Sequence, residues 1–213
     1  LDPSFWQDKW HSREIGFHQG HANALLIKYF PSLRLHPGSR IFVPLCGKTH
    51  DIHWLLSKGC HVVGVELSET AIKELFEELN LEPSVTSSEN LTHYQADRID
   101  IFAGDIFELN ADTLGAVDAV YDRAALVALP ESMRKDYSQQ VESITYKAPQ
   151  LLITFEYDQN ALSGPPFAIS ESMLKSYYEA SYGIELLETE HVEGGLKGEV
   201  EAKESIWLLS PAN

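Results

Sequence analysis

Short all-apolar runs alternate along this chain with stretches whose apolar positions recur every three or four residues. RIFVPL (40–45), HVVGVE (61–66), IDIFAGD (99–105), VDAVYD (117–122) and QLLITFEY (150–157) are aliphatic or β-branched and bounded by polar turns, so each predicts a strand. The last is apolar at nearly every position, as expected of a strand covered on both faces. Between them, THDIHWLLSKG (49–59), SETAIKELFEELN (68–80) and PESMRKDYSQQVESITYK (130–147) predict helices. Ser68 is placed to cap the second of these, Pro130 to open the third, and Gly59 to close the first. The pattern then changes. SESMLKSYYEASY (170–182) predicts a helix, and IELLETEHV (184–192) with ESIWLLSP (204–211) predicts two strands pairing antiparallel at an edge. PSFWQDKWHS (3–12) reads as a short N-terminal helix and SVTSSEN (84–90) as a loop.

Such alternation predicts an α/β fold: a doubly wound, mostly parallel, seven-stranded Rossmann-like sheet with an antiparallel edge near the C-terminus. Sheets of this kind bind ligands beyond the carboxyl ends of their strands. The residues just after each strand are therefore the candidates: Leu45 to Lys48, Glu66, Asp105 with Ile106, and Asp122 with Arg123.

Composition narrows the partners. A chain of 213 residues, 44% hydrophobic, suits one core, and residues 1–213 are expected to form one domain. A formal charge of −16 argues against a nucleic-acid partner, because phosphate backbones are met by clustered Lys and Arg. No apolar run reaches the roughly 18 residues of a membrane span, and LDPSFWQDKW has no apolar signal region. A cytoplasmic monomer without a membrane partner is the expectation. Cys46 and Cys60 fall at opposite edges of the sheet, beyond disulfide reach, and are read as reduced, Cys46 as a small packing residue.

Gly47-Lys48-Thr49 mimics the end of a phosphate-binding loop, yet that loop needs a glycine five positions before its Gly-Lys pair, where this chain has Phe42 inside a strand. The glycine-rich turn that cradles a dinucleotide pyrophosphate is also incomplete, with Gly47 alone. Glu66, however, follows Gly47 by 19 positions, close to the interval at which a carboxylate receives ribose hydroxyls. A nucleoside grip without a diphosphate grip fits S-adenosylmethionine, which has adenosine and a sulfonium but no phosphate. The bland reading of Glu66 is a solvent-facing strand end. Among nine histidines, His50 and His53 share a helix face but lack a third soft ligand, so no metal is expected.

FWQDKW, GFHQG, VPLCGK, GVELSE, GDIFEL, YDRAALVAL and GPPF occur in the order found in thiopurine S-methyltransferases, and the short start before Phe5 looks like the bacterial form. The resemblance spans most of the chain. It implies the class I methyltransferase fold, S-adenosyl-L-methionine as methyl donor, S-adenosyl-L-homocysteine as product, and aromatic or heterocyclic thiols as small-molecule acceptors. Bacterial relatives are also associated with selenium and tellurium methylation. The resemblance places Trp10, Leu45, Gly47, Glu66, Ile106 and Arg123 at the cofactor, and a segment of residues 1–35 over its site. Arg123 is the candidate catalytic residue: a guanidinium near the acceptor favours the thiolate, the nucleophilic form of sulfur. A surface salt bridge to Asp122 is its bland alternative. Asp105 is read as an adenine acceptor or a helix cap. Phe17 and Pro166 are candidate substrate residues, and His18 is placed to assist proton loss or to rest on a loop carbonyl.

Two features qualify the resemblance. DNA amino-methyltransferases carry a Pro-Pro-aromatic motif after the fourth strand, whereas Pro165 and Pro166 follow the fifth, so GPPF is read as a stiff rim or lid. Some relatives place an arginine near the acceptor in the segment that here reads HVEGGLKGEV, which offers only Lys197. Two rivals stay open on sequence alone: a nucleotide-dependent oxidoreductase on a similar sheet, and a non-catalytic cofactor-binding protein.

Overall fold

The computed structural model describes residues 3–12 and 20–212. Its strands are β1 (Arg40–Pro44), β2 (His61–Glu66), β3 (Ser84–Ser87), β4 (Thr92–Ala96), β5 (Ile99–Ala103), β6 (Ala119–Asp122), β7 (Gln150–Tyr157), β8 (Tyr182–His191) and β9 (Ala202–Pro211). The helices are α1 (Pro3–His11), α2 (Ala24–Tyr29), α3 (His50–Ser57), α4 (Glu69–Glu78), α5 (Ala111–Leu114), α6 (Glu131–Ile144) and α7 (Glu171–Tyr178).

All nine strands lie in one sheet, in the order β3-β4-β5-β2-β1-β6-β7-β9-β8. The five central strands are parallel, and both flanks are antiparallel. The doubly wound architecture and antiparallel C-terminal edge match the expectation from sequence. The strand count does not: SVTSSEN, read as a loop, supplies β3, and β4 was not foreseen. Every residue of β3 is exposed, so the hairpin has no apolar alternation to betray it; backbone pairing of β4 with β5 holds it.

Alternation across the strands builds two cores. One face buries Ile41, Val43, Val62, Ile101 and Tyr121 against α2, α3 and α4; the other buries Phe42, Val63, Phe102, Val120 and Leu152 against α6 and α7. Ser68 caps α4 by accepting from the Ala71 N–H, and Gly59 follows α3 at φ +81°, so both boundary signals held. Cys46 and Cys60 are buried free thiols. Burial, with the Glu66 charge beside it, pushes the Cys46 thiol well above its usual pKa, which suits packing and not reactivity. Its sulfur sits where Gly64 leaves room, since a Cβ there would come within 2.8 Å of it.

Strand order reverses at β1: the chain runs outward through β2 to β5, then returns to β6 and β7 on the other side. The carboxyl ends of β5, β2, β1 and β6 thus stand in a row at this switch point, where ligands enter such sheets. No helix among the described residues is long and apolar enough to cross a membrane.

Candidate functional site

At the tip of β2, Glu66 is 7% exposed. Its Oε2 accepts the Gly47 N–H at 2.8 Å, and its Oε1 accepts the Ser68 N–H at 2.8 Å. It is therefore not a solvent-facing strand end. Burial raises its pKa, and the backbone donors of Ser68, Gly47 and Leu67 pull the other way. A carboxylate has about four acceptor sites, so with these backbone donors in place it keeps acceptor capacity for a ligand donor.

The β1 turn wraps this carboxylate. Leu45 and Gly47 both have left-handed backbone, at φ +46° and +51°. A non-glycine residue in that region is uncommon and holds the loop in a conformation the surroundings must enforce. Trp10, from α1, is buried over Gly47; a Cβ there would stand 3.0 Å from its ring. Trp10, Gly47 and Glu66 therefore form one cluster. Lys48 bridges Glu78 at 2.6 Å and Glu74 at 2.9 Å on α4, so its charge is committed within the protein and not offered to a phosphate at the turn.

Beyond β5, Asp105 accepts from the Phe107 N–H at 3.0 Å, taking the role of cap to a short 3₁₀ turn, while Ile106 is buried beside it. Gly104 donates its N–H to the Glu66 carbonyl at 3.0 Å, which fixes the spacing of these two strand ends.

At the tip of β6 the bland alternative for Arg123 does not hold. Arg123 does not pair with Asp122 on the surface; its Nη1 donates to Oδ2 of Asp51 at 3.2 Å, with 9% of the arginine side chain exposed and none of the aspartate's. Successive side chains at a strand end point to opposite faces. Asp122 turns toward α6, accepting the Tyr137 hydroxyl at 2.7 Å and the Leu126 N–H at 3.2 Å, and its burial lifts its pKa to about 6. Arg123 turns toward α3. Its Nε is buried without a hydrogen-bond partner.

The GPPF segment is tied down by its neighbours. Tyr157 donates to the Pro166 carbonyl at 2.6 Å, Phe167 donates its N–H to the Val127 carbonyl at 2.6 Å, and the Arg134 guanidinium lies over the Phe167 ring. These contacts tie it to the turn that follows Arg123. Phe17 and His18 lie outside the described residues. His50 and His53 stack with centroids 4.9 Å apart, and no group of three metal-holding side chains occurs among the described residues.

The arrangement suits S-adenosylmethionine: a buried acid with free lone pairs at ribose spacing, a glycine turn closed by an indole, an apolar residue beyond β5, and no uncommitted cation at the turn. Sequence reasoning missed Asp51, Asn23 and Tyr121. In the sequence Asp51 looked like an ordinary first-turn helix acid, and the folded chain alone brings it beneath Arg123.

Comparison with known proteins gives the family. The sequence profile of the family Thiopurine S-methyltransferase (TPMT) matches residues 1–209. The thiopurine S-methyltransferase of Xanthobacter autotrophicus is 52% identical over 213 residues, covering 100% of both chains, and that of Teredinibacter turnerae is 52% identical over 99% of this chain and 98% of its own. Among solved structures, a 1,6-didemethyltoxoflavin-N1-methyltransferase of Burkholderia thailandensis superposes with a TM-score of 0.66 at 14% identity, covering 98% of this chain and 87% of that one. A methyltransferase of Anabaena variabilis, dependent on S-adenosylmethionine, does so with a TM-score of 0.66 at 12% identity, covering 100% and 96%. At such identities these structures speak for the fold. The chain belongs to the thiopurine S-methyltransferase family and is a class I methyltransferase that draws its methyl group from S-adenosylmethionine.

Proposed function

We propose that this chain methylates the sulfur of aromatic and heterocyclic thiols, thiopurines among them, at the tips of β1, β2 and β6. The observation that carries the proposal is the presence, on either side of β1, of an amide-held carboxylate at Glu66 and a buried guanidinium at Arg123 whose Nε has no partner. In this reading Glu66 receives the ribose hydroxyls, Gly47 lets the backbone approach, and the Leu45 carbonyl faces the amino acid portion. Ile106 packs at the base, and Trp10 closes the site with an aromatic face suited to a sulfonium. When bound, S-adenosylmethionine supplies a methyl group made electrophilic by its sulfonium.

Arg123 then acts on the acceptor. Its guanidinium stabilises the thiolate after the thiol proton has left to solvent, and the rim around Pro166 holds the apolar ring in line. One sulfur–carbon bond forms as the donor's sulfonium–methyl bond breaks, so no dedicated general base is needed in the transfer step. Phe17 is proposed to close the acceptor pocket. The reading extends to selenium and tellurium acceptors, to one domain over residues 1–213 with residues 1–35 as its cover, and to a cytoplasmic monomer. The formal charge of −16 supports the absence of a nucleic-acid partner.

A methyl-transfer screen with labelled S-adenosylmethionine across heterocyclic thiols, selenite and tellurite tests this. Turnover of thiols with stoichiometric S-adenosylhomocysteine is the expected result. Binding of S-adenosylhomocysteine without turnover of any acceptor would leave a cofactor-binding protein and end the proposal.

A further inference from the structure

Three donors from separate elements converge on one carboxylate. Asp51, wholly buried in the first turn of α3, accepts the Asn23 N–H on Oδ1 at 2.7 Å. It accepts the Tyr121 hydroxyl at 3.0 Å and Arg123 Nη1 at 3.2 Å on Oδ2. An acid at this position usually serves the helix by capping or by meeting its dipole in solvent. Capping is already performed by Thr49, whose hydroxyl accepts the Asp51 N–H at 3.2 Å. The side chain of Asp51 is thereby released for Arg123.

The consequence is orientational. A long arginine side chain loses several rotatable freedoms when ordered, and here one end of the guanidinium is held while Nε is left buried and unpaired. A buried N–H without a partner calls for an explanation, and at a strand tip beside a ligand site an acceptor on the ligand supplies one. Asp51 is itself braced. Asn23 caps α2 and extends its side-chain amide to Oε1 of Glu204 on β9 at 3.4 Å, so α2, α3, β6 and β9 meet at this point. An unheld guanidinium would also be free to swing toward a cationic sulfonium, and the adjacent carboxylate offsets that repulsion.

We propose that Asp51 is the positioning residue of the acceptor site: it fixes the Arg123 guanidinium so that Nε–H is presented to the acceptor, with Tyr121 and the Asn23 N–H holding Asp51 in place. The inference rests on the reading that Arg123 meets the acceptor.

The test is a mutant cycle on the full chain: Asp51→Asn, Asp51→Glu, Arg123→Ala and the double variant Asp51→Asn with Arg123→Ala. Each is assayed for benzenethiol methylation and for S-adenosylhomocysteine affinity by calorimetry. Asp51→Asn is expected to lower kcat by about 30-fold while affinity for S-adenosylhomocysteine stays within about threefold. In the Arg123→Ala background the same change is expected to lower kcat by less than about twofold further, because its effect runs through the missing guanidinium. Asp51→Glu, larger but still a carboxylate, should outperform the isosteric Asp51→Asn. A packing role would reverse that order.

Losses that multiply in the double variant would overturn the positioning role while leaving the Arg123 reading intact. An Arg123→Ala enzyme with unchanged turnover would overturn both. If Asp51→Asn fails to fold, Tyr121→Phe, which removes one donor from Asp51, reports the same coupling. A loss of about threefold that vanishes in the Arg123→Ala background supports positioning, and a loss that persists there contradicts it.

Discussion

Glu66 and Arg123 are buried charges at the tips of β2 and β6, on either side of β1, and the protein neutralises them in opposite ways. Glu66 is held by backbone amides of Gly47 and Ser68. Arg123 is held by a full opposite charge at Asp51. A carboxylate satisfied by amides keeps its net charge and its remaining lone pairs, which suits neutral hydroxyl donors. A guanidinium paired with a carboxylate carries little net field, and what remains is direction: its other N–H groups, Nε–H among them, at fixed places. In the proposed reading the first tip holds a polar neutral group, and the second orients a reacting one.

Breaking the second tip has the larger expected effect. Arg123→Ala should lower kcat by about 100- to 1,000-fold, as loss of a preorganised donor does, with the steepest loss on acidic aromatic thiols. Steady-state kinetics across a thiol series and a pH range would show it, and unaffected kinetics would remove Arg123 from the mechanism.

Asp122, which points to the other face from Arg123, gives the next effect. Its folded pKa of about 6 lies above the ordinary aspartate value of 3.8, so the folded state takes up a proton more readily than the unfolded one. Stability is then highest at low pH with respect to this group and is lost as pH rises from about 4 through about 6, by about 3 kcal/mol in all. Asp122→Asn should flatten that slope in urea unfolding measured from pH 4 to 7. An unchanged slope would assign it elsewhere.

At the first tip, Glu66→Gln places an amide donor against a backbone N–H and removes the charge. Affinity for S-adenosylhomocysteine should fall by roughly 1–3 kcal/mol, read by calorimetry; equal affinity would refute the ribose role. The smallest effect is a contrast with it. Lys48→Ala should alter that affinity by no more than about 0.5 kcal/mol, since Lys48 serves Glu74 and Glu78. A large loss would revive a phosphate-loop role for Gly47-Lys48-Thr49.

The two tips also differ in how far the sequence disclosed them. Glu66 and Gly47 were legible because the contact between them is a matter of spacing along one strand-turn-helix-strand unit. Asp51 was not, since its link to Arg123 joins two such units through the sheet order, and a first-turn helix acid has an ordinary explanation. The bland alternative, a surface bridge from Arg123 to Asp122, does not form for a local reason, the opposite facing of consecutive strand residues. Among the strands, the central five were readable from continuous apolar runs. The β3–β4 hairpin was not, because Ser84–Ser87 are all exposed and gain their place from backbone pairing.

The most direct test of the central claim is the crystal structure of the complex with S-adenosylhomocysteine. The account predicts the ribose hydroxyls within hydrogen-bond distance of Glu66, the indole of Trp10 over the ligand, and no contact from Lys48. A ligand seated away from the tips of β1, β2 and β6, or a ribose that leaves Glu66 to its two amides alone, would contradict it.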